Sequence, residues 1–267
     1  MNSNMIGAGE AARRLGVSPA TIQRWVDVGL LSAVRTHGGH RRIPLSEIRR
    51  MLAAMRPAPL IGPLATWIEA LLEADAAKIG ALMLAARRRS GSWSLVVEEI
   101  ASAIAEIGRL WEMGACHIFE EHAASEALRR AAARCVTEMP CGPYAPRAAL
   151  LTVAGDRHTL GLSLAELIVA EAAWKPLWLG DGPPAEELDV LVERRKPDLL
   201  VAAASAATSI KVMSAYQSAL EQAAARGKVR LVFAGGGGWM PSEIGVRVCS
   251  FHELGTTLAQ CRTAPLG

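Results

Sequence analysis

The sequence lacks several features that mark membrane, secreted or disulfide-bonded proteins. It has no run of about 18 uncharged apolar residues and no signal-peptide core at its N-terminus, so we expect a cytoplasmic protein. Its five cysteines are an odd number and show neither metal-knuckle spacing nor a disulfide framework. We therefore expect reduced thiols.

Positive charge is concentrated at one end of the chain. The 267 residues are 51% hydrophobic, enough for two or three compact units. Residues 1–56 contain nine arginines and three acidic residues, a net charge of +6; because the whole chain carries +3, the remainder carries −3. A basic N-terminal fifth on a slightly acidic body indicates a nucleic-acid-binding head attached to a sensor or an enzyme.

The N-terminal segment has the pattern of two helices joined by a tight turn. "GEAARRLG" predicts a short helix ended by Gly16, and Ser18 is the expected cap of a second helix with Pro19 at its first position. In this second helix the expected core residues are Ile22, Trp25 and Val26, and the outward residues are Thr21, Gln23 and Arg24. The pattern predicts a helix-turn-helix whose second helix carries groups suited to base edges and phosphates.

A glycine pair follows the two helices. "RTHGGHRRI" predicts two short strands joined at Gly38-Gly39, a wing that can reach the DNA backbone or minor groove. The tip of the wing displays Arg35, His37, His40, Arg41 and Arg42. Ser46 is the expected cap of a closing helix. The residues expected to contact DNA are Ser18, Thr21, Gln23, Arg24, Arg35, His40, Arg41 and Arg42.

The alternative for this segment is a small helical domain with a solvated basic face. The order of helix, turn, helix and Gly-Gly wing argues against that alternative. Residues 6–53 resemble the winged helix-turn-helix of the MerR regulator family, through "GVSPATIQRW", "GLL" and "GGHRRI". The resemblance implies a dimer on a roughly palindromic operator. Because no sustained heptad pattern follows Met55, we expect assembly to depend on the rest of the chain.

Two proline-rich stretches mark domain boundaries. "RPAPLIGP" is the expected stiff linker, and "MPCGPYAPR" is the second boundary. Helical periodicity between them predicts a four-helix bundle, with its first two helices separated near Asp75. The expected division is a head at residues 1–56, a linker at 57–63, a bundle at 64–140 and a ligand-binding domain at 147–262.

The last part of the chain alternates between strand and helix patterns. Apolar runs such as "ALLTVAG" and "PDLLVAAA" predict buried parallel strands. The expected fold is thus multidomain, α and then α/β, ending in a doubly wound Rossmann-like sheet of about five strands. Ligands of such sheets bind at the carboxyl ends of the strands, where we expect Asp156, His158, Ser205 and the Gly235–Gly238 run.

Three interpretations of this sheet edge compete. A dinucleotide is disfavoured, because "GDRHTLG" is bulky and charged where G-x-G-x-x-G would be needed. A phosphoryl-receiver domain would need clustered acids at strand ends, and only Asp156 qualifies. The third is a metal-centred cofactor with His158 as ligand and Asp156 on the other imidazole nitrogen. A lone histidine near a loop is more often solvated or packed, but the Asp-x-His-x-x-Gly spacing favours the metal-centred cofactor.

The spacing of these residues carries a second resemblance. Asp156-x-His158-x-x-Gly161, then Ser205, then Gly235-Gly236, resembles the cobalamin-binding fold of methionine synthase and cobalamin-dependent mutases. The resemblance implies that His158 replaces the cofactor's own nucleotide base beneath cobalt. It also implies that the freed base tail inserts past Ser205 and the glycines.

The helical region adds a third resemblance. Nine residues separate Trp111 from Glu121-His122; taken alone, this pattern indicates a core tryptophan and a polar helix face. With the other two motifs, nearly all the chain is similar to the light-sensing repressors of carotenoid synthesis, the CarH group. That similarity implies that the bundle covers the upper face of adenosylcobalamin. Trp111 and Ile118 would pack on the adenosyl group, Glu121 would hydrogen-bond its sugar, and His122 would lie nearby.

The same similarity implies a light switch. In the dark the adenosyl group would favour a homotetramer that grips DNA through several heads, and visible light would break the cobalt–carbon bond and release the operator. One residue departs from the family pattern. The light sensors have a histidine after this tryptophan, whereas Glu112 stands here. A carboxylate is a poorer cobalt ligand, so His117 and His122 become candidate substitutes.

Other interpretations remain open at this point. The chain could sense cobalamin without photochemistry, or hold another tetrapyrrole such as haem or a bilin, for which Cys116-His117 is the local indication. It could also be a corrinoid methyl-transfer or mutase module, or a repressor whose body only dimerises. The DNA-binding head leads us to expect a regulator rather than an enzyme.

Overall fold

The computed structural model describes residues 5–35, 38–55, 62–113, 115–235 and 238–263, with the backbone alone for residues 53–55. These described residues form two compact units. The first comprises residues from the ranges 1–72 and 102–124, and the second comprises residues from the ranges 73–101 and 125–267.

The first unit begins with a small antiparallel sheet and three helices. Its strands are β1 (Met5–Gly7), β2 (Val34–Arg35) and β3 (Arg41–Pro44), in the order β1-β3-β2. Its helices are α1 (Ala8–Leu15), α2 (Pro19–Asp27) and α3 (Leu45–Met55). The helix-turn-helix and the wing strands are confirmed, and β1 is an additional strand that the sequence analysis did not identify.

Local chemistry explains the two ends of the turn between α1 and α2. Gly16 adopts the left-handed conformation at φ +69°, which ends α1 without the steric cost of a side chain. The Ser18 hydroxyl accepts a hydrogen bond from the backbone N–H of Thr21 at 3.1 Å and so caps α2. Ile22 and Trp25 are buried as expected, whereas Val26 is half-buried.

The start of α3 and the connection between the wing strands differ from the pattern expected from the sequence. The helix α3 begins at Leu45, so Ser46 lies inside its first turn and is not its cap. The expectation was wrong because β3 runs directly into α3 and leaves no loop residue between them. The pairing of Arg35 with Arg41 leaves residues 36–40 between β2 and β3, a longer connection than the expected tight turn at Gly38-Gly39. Gly39 has φ +76° in this connection, and His37 lies outside the described residues.

Four helices follow in the region for which the sequence predicts a bundle. They are α4 (Pro63–Leu72), α5 (Ala76–Ser90), α6 (Trp93–Glu112) and α7 (Ile118–Thr137). The expected separation near Asp75 is confirmed, because its carboxylate accepts hydrogen bonds from the backbone N–H groups of Ala77 and Lys78 and caps α5. Within the second unit, Arg89 of α5 pairs with Glu99 of α6 at 2.7 Å.

The remainder of the second unit is a five-stranded parallel sheet. Its strands are β4 (Arg147–Thr152), β5 (Lys175–Gly180), β6 (Leu199–Ala203), β7 (Arg230–Ala234) and β8 (Gly245–Val248). The order is β5-β4-β6-β7-β8, so the chain reverses its direction across the sheet between β4 and β6. In such sheets the crevice for a ligand opens at this point, outside the carboxyl ends of the strands.

Helices cover both faces of this sheet. They are α8 (Leu160–Glu171), α9 (Leu188–Arg195), α10 (Ile210–Gly227) and α11 (Phe251–Thr263). The cluster with Leu151 and Phe233 includes residues of α9 and α10, whereas the cluster with Leu150 and Val232 includes residues of α8 and α11. Burial on both faces explains the continuous apolar strands and confirms the doubly wound Rossmann-like fold. The helix α11 is an addition to the elements expected from the sequence.

One carboxylate connects the helical part of the second unit to the sheet part. Glu171, at the end of α8, accepts hydrogen bonds from the backbone N–H of Trp93 at 3.0 Å and pairs with Arg87 of α5 at 2.8 Å. It therefore occupies the N-terminal end of α6, where a negative charge is favourable. Among the helices of the described ranges, none is long and apolar enough to cross a membrane.

We predict that Gly182→Ala destabilises the second unit. A Cβ at this position would overlap the Thr152 carbonyl oxygen and would lie 2.5 Å from the Tyr216 hydroxyl, so backbone must shift. Overpacking of this kind costs about 1–3 kcal/mol. Urea unfolding would measure the loss. Gly142→Ala is the control, because its Cβ would meet nothing within 4 Å. Equal stability of the two variants would contradict the close approach.

Candidate functional site

A tight turn carries the chain out of β4 toward the reversal point of the sheet. The backbone N–H of Asp156 donates to the Val153 carbonyl at 2.9 Å, which closes a turn with Gly155 at its third position. Gly155 has φ +83°, a conformation that favours glycine there. The Gly155 N–H also donates to the Asp181 carboxylate at 2.8 Å. The turn directs Asp156 back toward the end of β6.

Asp156 is the most heavily hydrogen-bonded side chain at this edge, and only 3% of it is exposed. Its Oδ2 accepts from the Ser205 backbone N–H and from the Thr208 hydroxyl, each at 2.7 Å. Its Oδ1 accepts from the His158 backbone N–H at 3.0 Å, from the His158 ring at 2.8 Å and from the Ser205 hydroxyl at 3.1 Å. We call Asp156, His158, Ser205 and Thr208 the switch-point site.

These donors decide the protonation state of the carboxyl group. Burial by itself raises the pKa of Asp156. The hydrogen bonds from the Ser205 backbone, the Thr208 hydroxyl and the backbone and ring of His158 outweigh that effect and hold the pKa far below its usual range. Asp156 is therefore ionised at neutral pH and can act only as an acceptor.

An ionised Asp156 determines how His158 presents its ring. Because the carboxylate can only accept, the hydrogen of the neutral imidazole lies on Nδ1, and Nε2 keeps a free lone pair. The His158 side chain is 68% exposed, so this nitrogen faces the crevice rather than the core. A carboxylate that holds one imidazole nitrogen fixes the orientation of the ring and leaves the other nitrogen available to a metal.

The glycines of the predicted site lie at the same sheet edge. Gly161 is in the first turn of α8, and a Cβ there would meet nothing within 4 Å. Gly235 follows β7 at φ +64°, and a Cβ there would lie 3.0 Å from the Ala204 carbonyl oxygen. Gly236 lies outside the described residues. The loops after β6 and β7 thus approach each other so closely that only a small residue fits.

Thr208 is a site residue that the sequence analysis missed. It lies in the loop between β6 and α10, three positions after Ser205, and its hydroxyl donates to Asp156. The spacing Ser-x-x-Thr in a loop that opens a helix was the available signal. It is weak, because hydroxyl residues at such positions more often cap the helix, as Ser209 caps α10 here.

The residues expected above the cofactor belong to the first unit. Trp111 ends α6 and Ile118 begins α7; their exposures of 46% and 57% exclude the interpretation of Trp111 as a core residue. Phe119, which the sequence analysis did not consider, is 66% exposed and stacks on the His117 ring with centroids 5.6 Å apart. This end of the helix pair presents apolar and aromatic surface to its surroundings.

The acidic and basic residues of this surface are paired locally. Glu121 Oε2 lies 2.7 Å from His122 Nδ1, which leaves the other His122 nitrogen exposed. Glu112 ends α6 and is exposed, and its backbone carbonyl accepts from Arg24 at 3.4 Å. We call Trp111, Ile118, Glu121 and His122 the upper-face residues.

The residues expected to contact DNA are mostly on the surface of the first unit. Those classed as exposed are Ser18, Gln23, Arg24, Arg35, His40 and Arg42, and Thr21 is half-buried against the Ser18 hydroxyl. Arg41 differs, because its guanidinium pairs with Asp27 of α2 at 2.5 Å and its side chain is only 20% exposed. Arg41 therefore supports the wing against α2, whereas Arg35 and Arg42 are the wing arginines exposed to solvent.

No cluster of three or more His, Cys, Asp or Glu side chains that could hold a metal ion occurs within the described ranges. His158 alone would be an insufficient site for a free ion. A single protein ligand is adequate only where a cofactor supplies the other ligands of its own metal, as a corrin ring does.

Comparison with known families agrees with this chemistry. Residues 5–56 match the family model of a helix-turn-helix domain, and residues 64–135 match that of a B12 binding domain. The combination defines the class of a B12-binding helix-turn-helix protein, with a cobalamin or other corrinoid as cofactor. Among curated proteins, none matches the chain in sequence.

One solved structure shares the fold of much of the chain, and two others align more loosely. The monomethylamine corrinoid protein of Methanosarcina barkeri aligns at a TM-score of 0.56 with 18% identity, over 73% of this chain and 95% of that chain. The methanol:cobalamin methyltransferase complex MtaBC of the same organism aligns at 0.38 with 15% identity, over 92% and 93% of the two chains. A cobalamin-binding protein of Desulfitobacterium hafniense DCB-2 aligns at 0.35 with 15% identity, over 76% and 98%.

We predict that Asp156→Asn lowers stability at pH 7 by about 2 kcal/mol, since an amide cannot accept from all five donors. The depressed pKa of Asp156 contributes stability that is present above the unfolded value of about 3.9 and is lost as pH falls through the folded value. Urea unfolding should therefore show that the difference in free energy of unfolding between the unmodified protein and Asp156→Asn becomes smaller as the pH falls.

The control for this prediction is Asp189→Asn. Asp189 pairs with Arg226 on the surface, and an exposed pair contributes little. A variant at Asp156 that is no less stable than the one at Asp189 would contradict the role of the buried carboxylate.

Proposed function

We propose that this protein is a cobalamin-sensing transcriptional regulator, and more specifically a light-responsive repressor that binds adenosylcobalamin. The observation that carries the proposal is the switch-point site. There, a buried and ionised Asp156 holds the Nδ1 of an exposed His158, at the reversal point of a sheet in a chain that also has a helix-turn-helix domain. DNA binding by the head does not require this histidine arrangement, so the arrangement supports a ligand-sensing role for the rest of the chain.

The residues at the sheet edge fit a corrinoid. His158 would be the lower ligand of cobalt, and Asp156 would hold the ring in the required tautomer. Gly161 leaves open space beside it, and Gly235 permits the close approach of the loops after β6 and β7. Together with Ser205 and Gly236, these glycines would accommodate the displaced nucleotide tail. Adenosylcobalamin would supply a cobalt–carbon bond that visible light breaks.

The exposed surface of the helical region supports the adenosyl form of the cofactor. Trp111 and Ile118 would cover the adenosyl group, Glu121 would bind its sugar and His122 would lie beside them. The exposure of both apolar side chains supports a ligand-covering role over a role in the core. The loss of the adenosyl group would remove the ligand that holds this surface in place and so would change the assembly.

The proposal includes the division of the chain and its assembly. Residues 1–56 would bind a double-stranded operator, residues 64–140 would cover the cofactor and residues 147–262 would bind it from below, with residues 57–63 as the linker. Several heads on one tetramer would bind DNA far more tightly than a single head, so dissociation to smaller species would release the operator. The site of action is the cytoplasm, and the chain acts as a regulator rather than as an enzyme.

The first test is the visible spectrum and the solution mass of the protein purified with adenosylcobalamin in the dark, before and after green light. We expect a bound corrinoid without its own base on cobalt, a spectral change on illumination and a decrease in mass. His158→Ala should lose the base-off binding mode, whereas His252→Ala, at another exposed histidine of the second unit, should keep it.

Each other outcome of this test has a defined meaning. Bound corrinoid without a light response would support a chemical sensor and would contradict the photoreceptor, an outcome for which Glu112 in place of histidine gives a reason. No bound corrinoid would overturn the whole proposal in favour of a DNA-binding scaffold.

A second test concerns the wing. Arg42→Ala should weaken binding to a selected duplex and reduce the slope of log K against log salt by about 1, because one phosphate contact and its counterion release are lost. Arg194→Ala removes an equal charge from the exposed surface of α9 and should leave the slope unchanged. Equal slopes in all three proteins would show that Arg42 does not contact phosphate.

A further inference from the structure

A cavity of about 430 Å³ lies within the first unit, next to the recognition helix α2. One side is lined by residues from the turn before α2 and from its first two turns, including Ser18, Thr21 and Arg24. The other side is lined by residues at the end of α6 and the start of α7, including Trp111 and Ile118. The first side is part of the surface expected to bind DNA, and the second side is part of the surface expected to cover the adenosyl group of the cofactor.

A direct contact closes one edge of this cavity. The Arg24 guanidinium donates to the backbone carbonyl of Glu112 at 3.4 Å, across 88 positions of sequence. The bond is long and solvent-exposed, so its contribution to stability is small. The lining is completed by Gly16, Val17, Ala20, Cys116 and His117. Because the hydrogen bond between Arg24 and the Glu112 carbonyl is long and exposed, the contact can open when DNA binds α2 or when a ligand covers Trp111.

The residues in this contact cannot serve DNA at the same time. A recognition helix must enter the major groove with its N-terminal residues against base edges, which requires open space around Ser18, Thr21 and Arg24. In this structure the space is bounded by Trp111 and Ile118. In the same way, a group stacked on Trp111 needs the space of this cavity, which the first turns of α2 enclose from the other side.

We propose that this contact is an intramolecular lock, in which the recognition helix α2 docks on the Trp111–Ile118 surface and keeps the free protein from binding DNA. A ligand that covers Trp111 displaces α2 and so releases the head for DNA. This inference rests on the proposed function for the identity of the two ligands, but the lock itself is a property of the chain alone.

Linkage gives the lock a direction that can be measured. The helix α2 competes with the ligand that covers Trp111. The Trp111–Ile118 surface in turn competes with DNA for α2. Each ligand therefore favours the open form, and each increases the affinity of the other by the same factor. Removing the upper ligand, by light or by depletion, closes the lock again and weakens DNA binding even where the oligomeric state is unchanged.

The lock can be tested by a distance measurement on the full chain. Arg13→Cys on α1 and His117→Cys beside the cavity place one spin label on the head and one at the end of the helix pair, outside the residues expected to contact DNA. Cys141, Cys249 and Cys261 are changed to Ser, and Cys116 and Cys135 are buried. We expect a short and narrow distance distribution in the free protein. We expect a longer and broader distribution with adenosylcobalamin in the dark, and also with a duplex selected from a random-sequence pool.

A matched pair of variants tests the consequence for DNA. Ile118→Lys places a positive charge in the cavity that Arg24 also lines, and should raise the affinity of the corrinoid-free protein for the selected duplex by roughly five-fold. Ile244→Lys adds the same charge to a similarly exposed isoleucine of the second unit, at 49% against 57% exposure, and should change the affinity much less. Equal effects of the two variants would overturn the lock.

The distance measurement separates the lock from the proposed function. If adenosylcobalamin does not bind, the free-protein distance and its response to DNA still test the docking of α2. A long distance in the free protein overturns the lock even where corrinoid and DNA both bind. A short distance that neither ligand lengthens overturns it as well.

Discussion

The site depends on one buried negative charge. Asp156 is withdrawn from water at the reversal point of the sheet, and five hydrogen bonds from three nearby residues compensate for the lost hydration. Those same bonds join the loop after β4 to the loop after β6, and they leave the exposed nitrogen of His158 as a lone-pair donor. A carboxylate with fewer donors would protonate or would move toward solvent, and the imidazole would lose its orientation.

The two units contribute different kinds of surface to the function. The second unit supplies a rigid site, with parallel strands buried on both faces and loops held by a network of short hydrogen bonds. The first unit supplies exposed groups on the wing, on the recognition helix and at the Trp111–Ile118 surface. This difference suits a regulator, because the ligand site must be preorganised while the DNA-binding head must remain free to change its partner.

Much of the fold was predictable because long periodic segments carry a strong signal. The apolar runs of β4, β6 and β7 and the caps Ser18 and Asp75 indicate their elements through local chemistry alone. Short or unsupported elements were not predictable, such as β1 with three residues and α11 after the last strand. For the site, Asp156 and His158 were found by their spacing, whereas Thr208 was hidden among hydroxyl residues that usually cap helices.

The sequence by itself determined most of the longer elements, the charge of the head and the choice of His158 as the candidate metal ligand, since these follow from periodicity, composition and short spacing. Only the tertiary structure decided that Asp156 is buried and ionised, that Trp111 is exposed and that Arg41 pairs with Asp27 while Arg42 faces water. The reason is that exposure, pKa and the choice of ion-pair partner depend on atoms from distant parts of the chain, and no local pattern encodes which of them arrive.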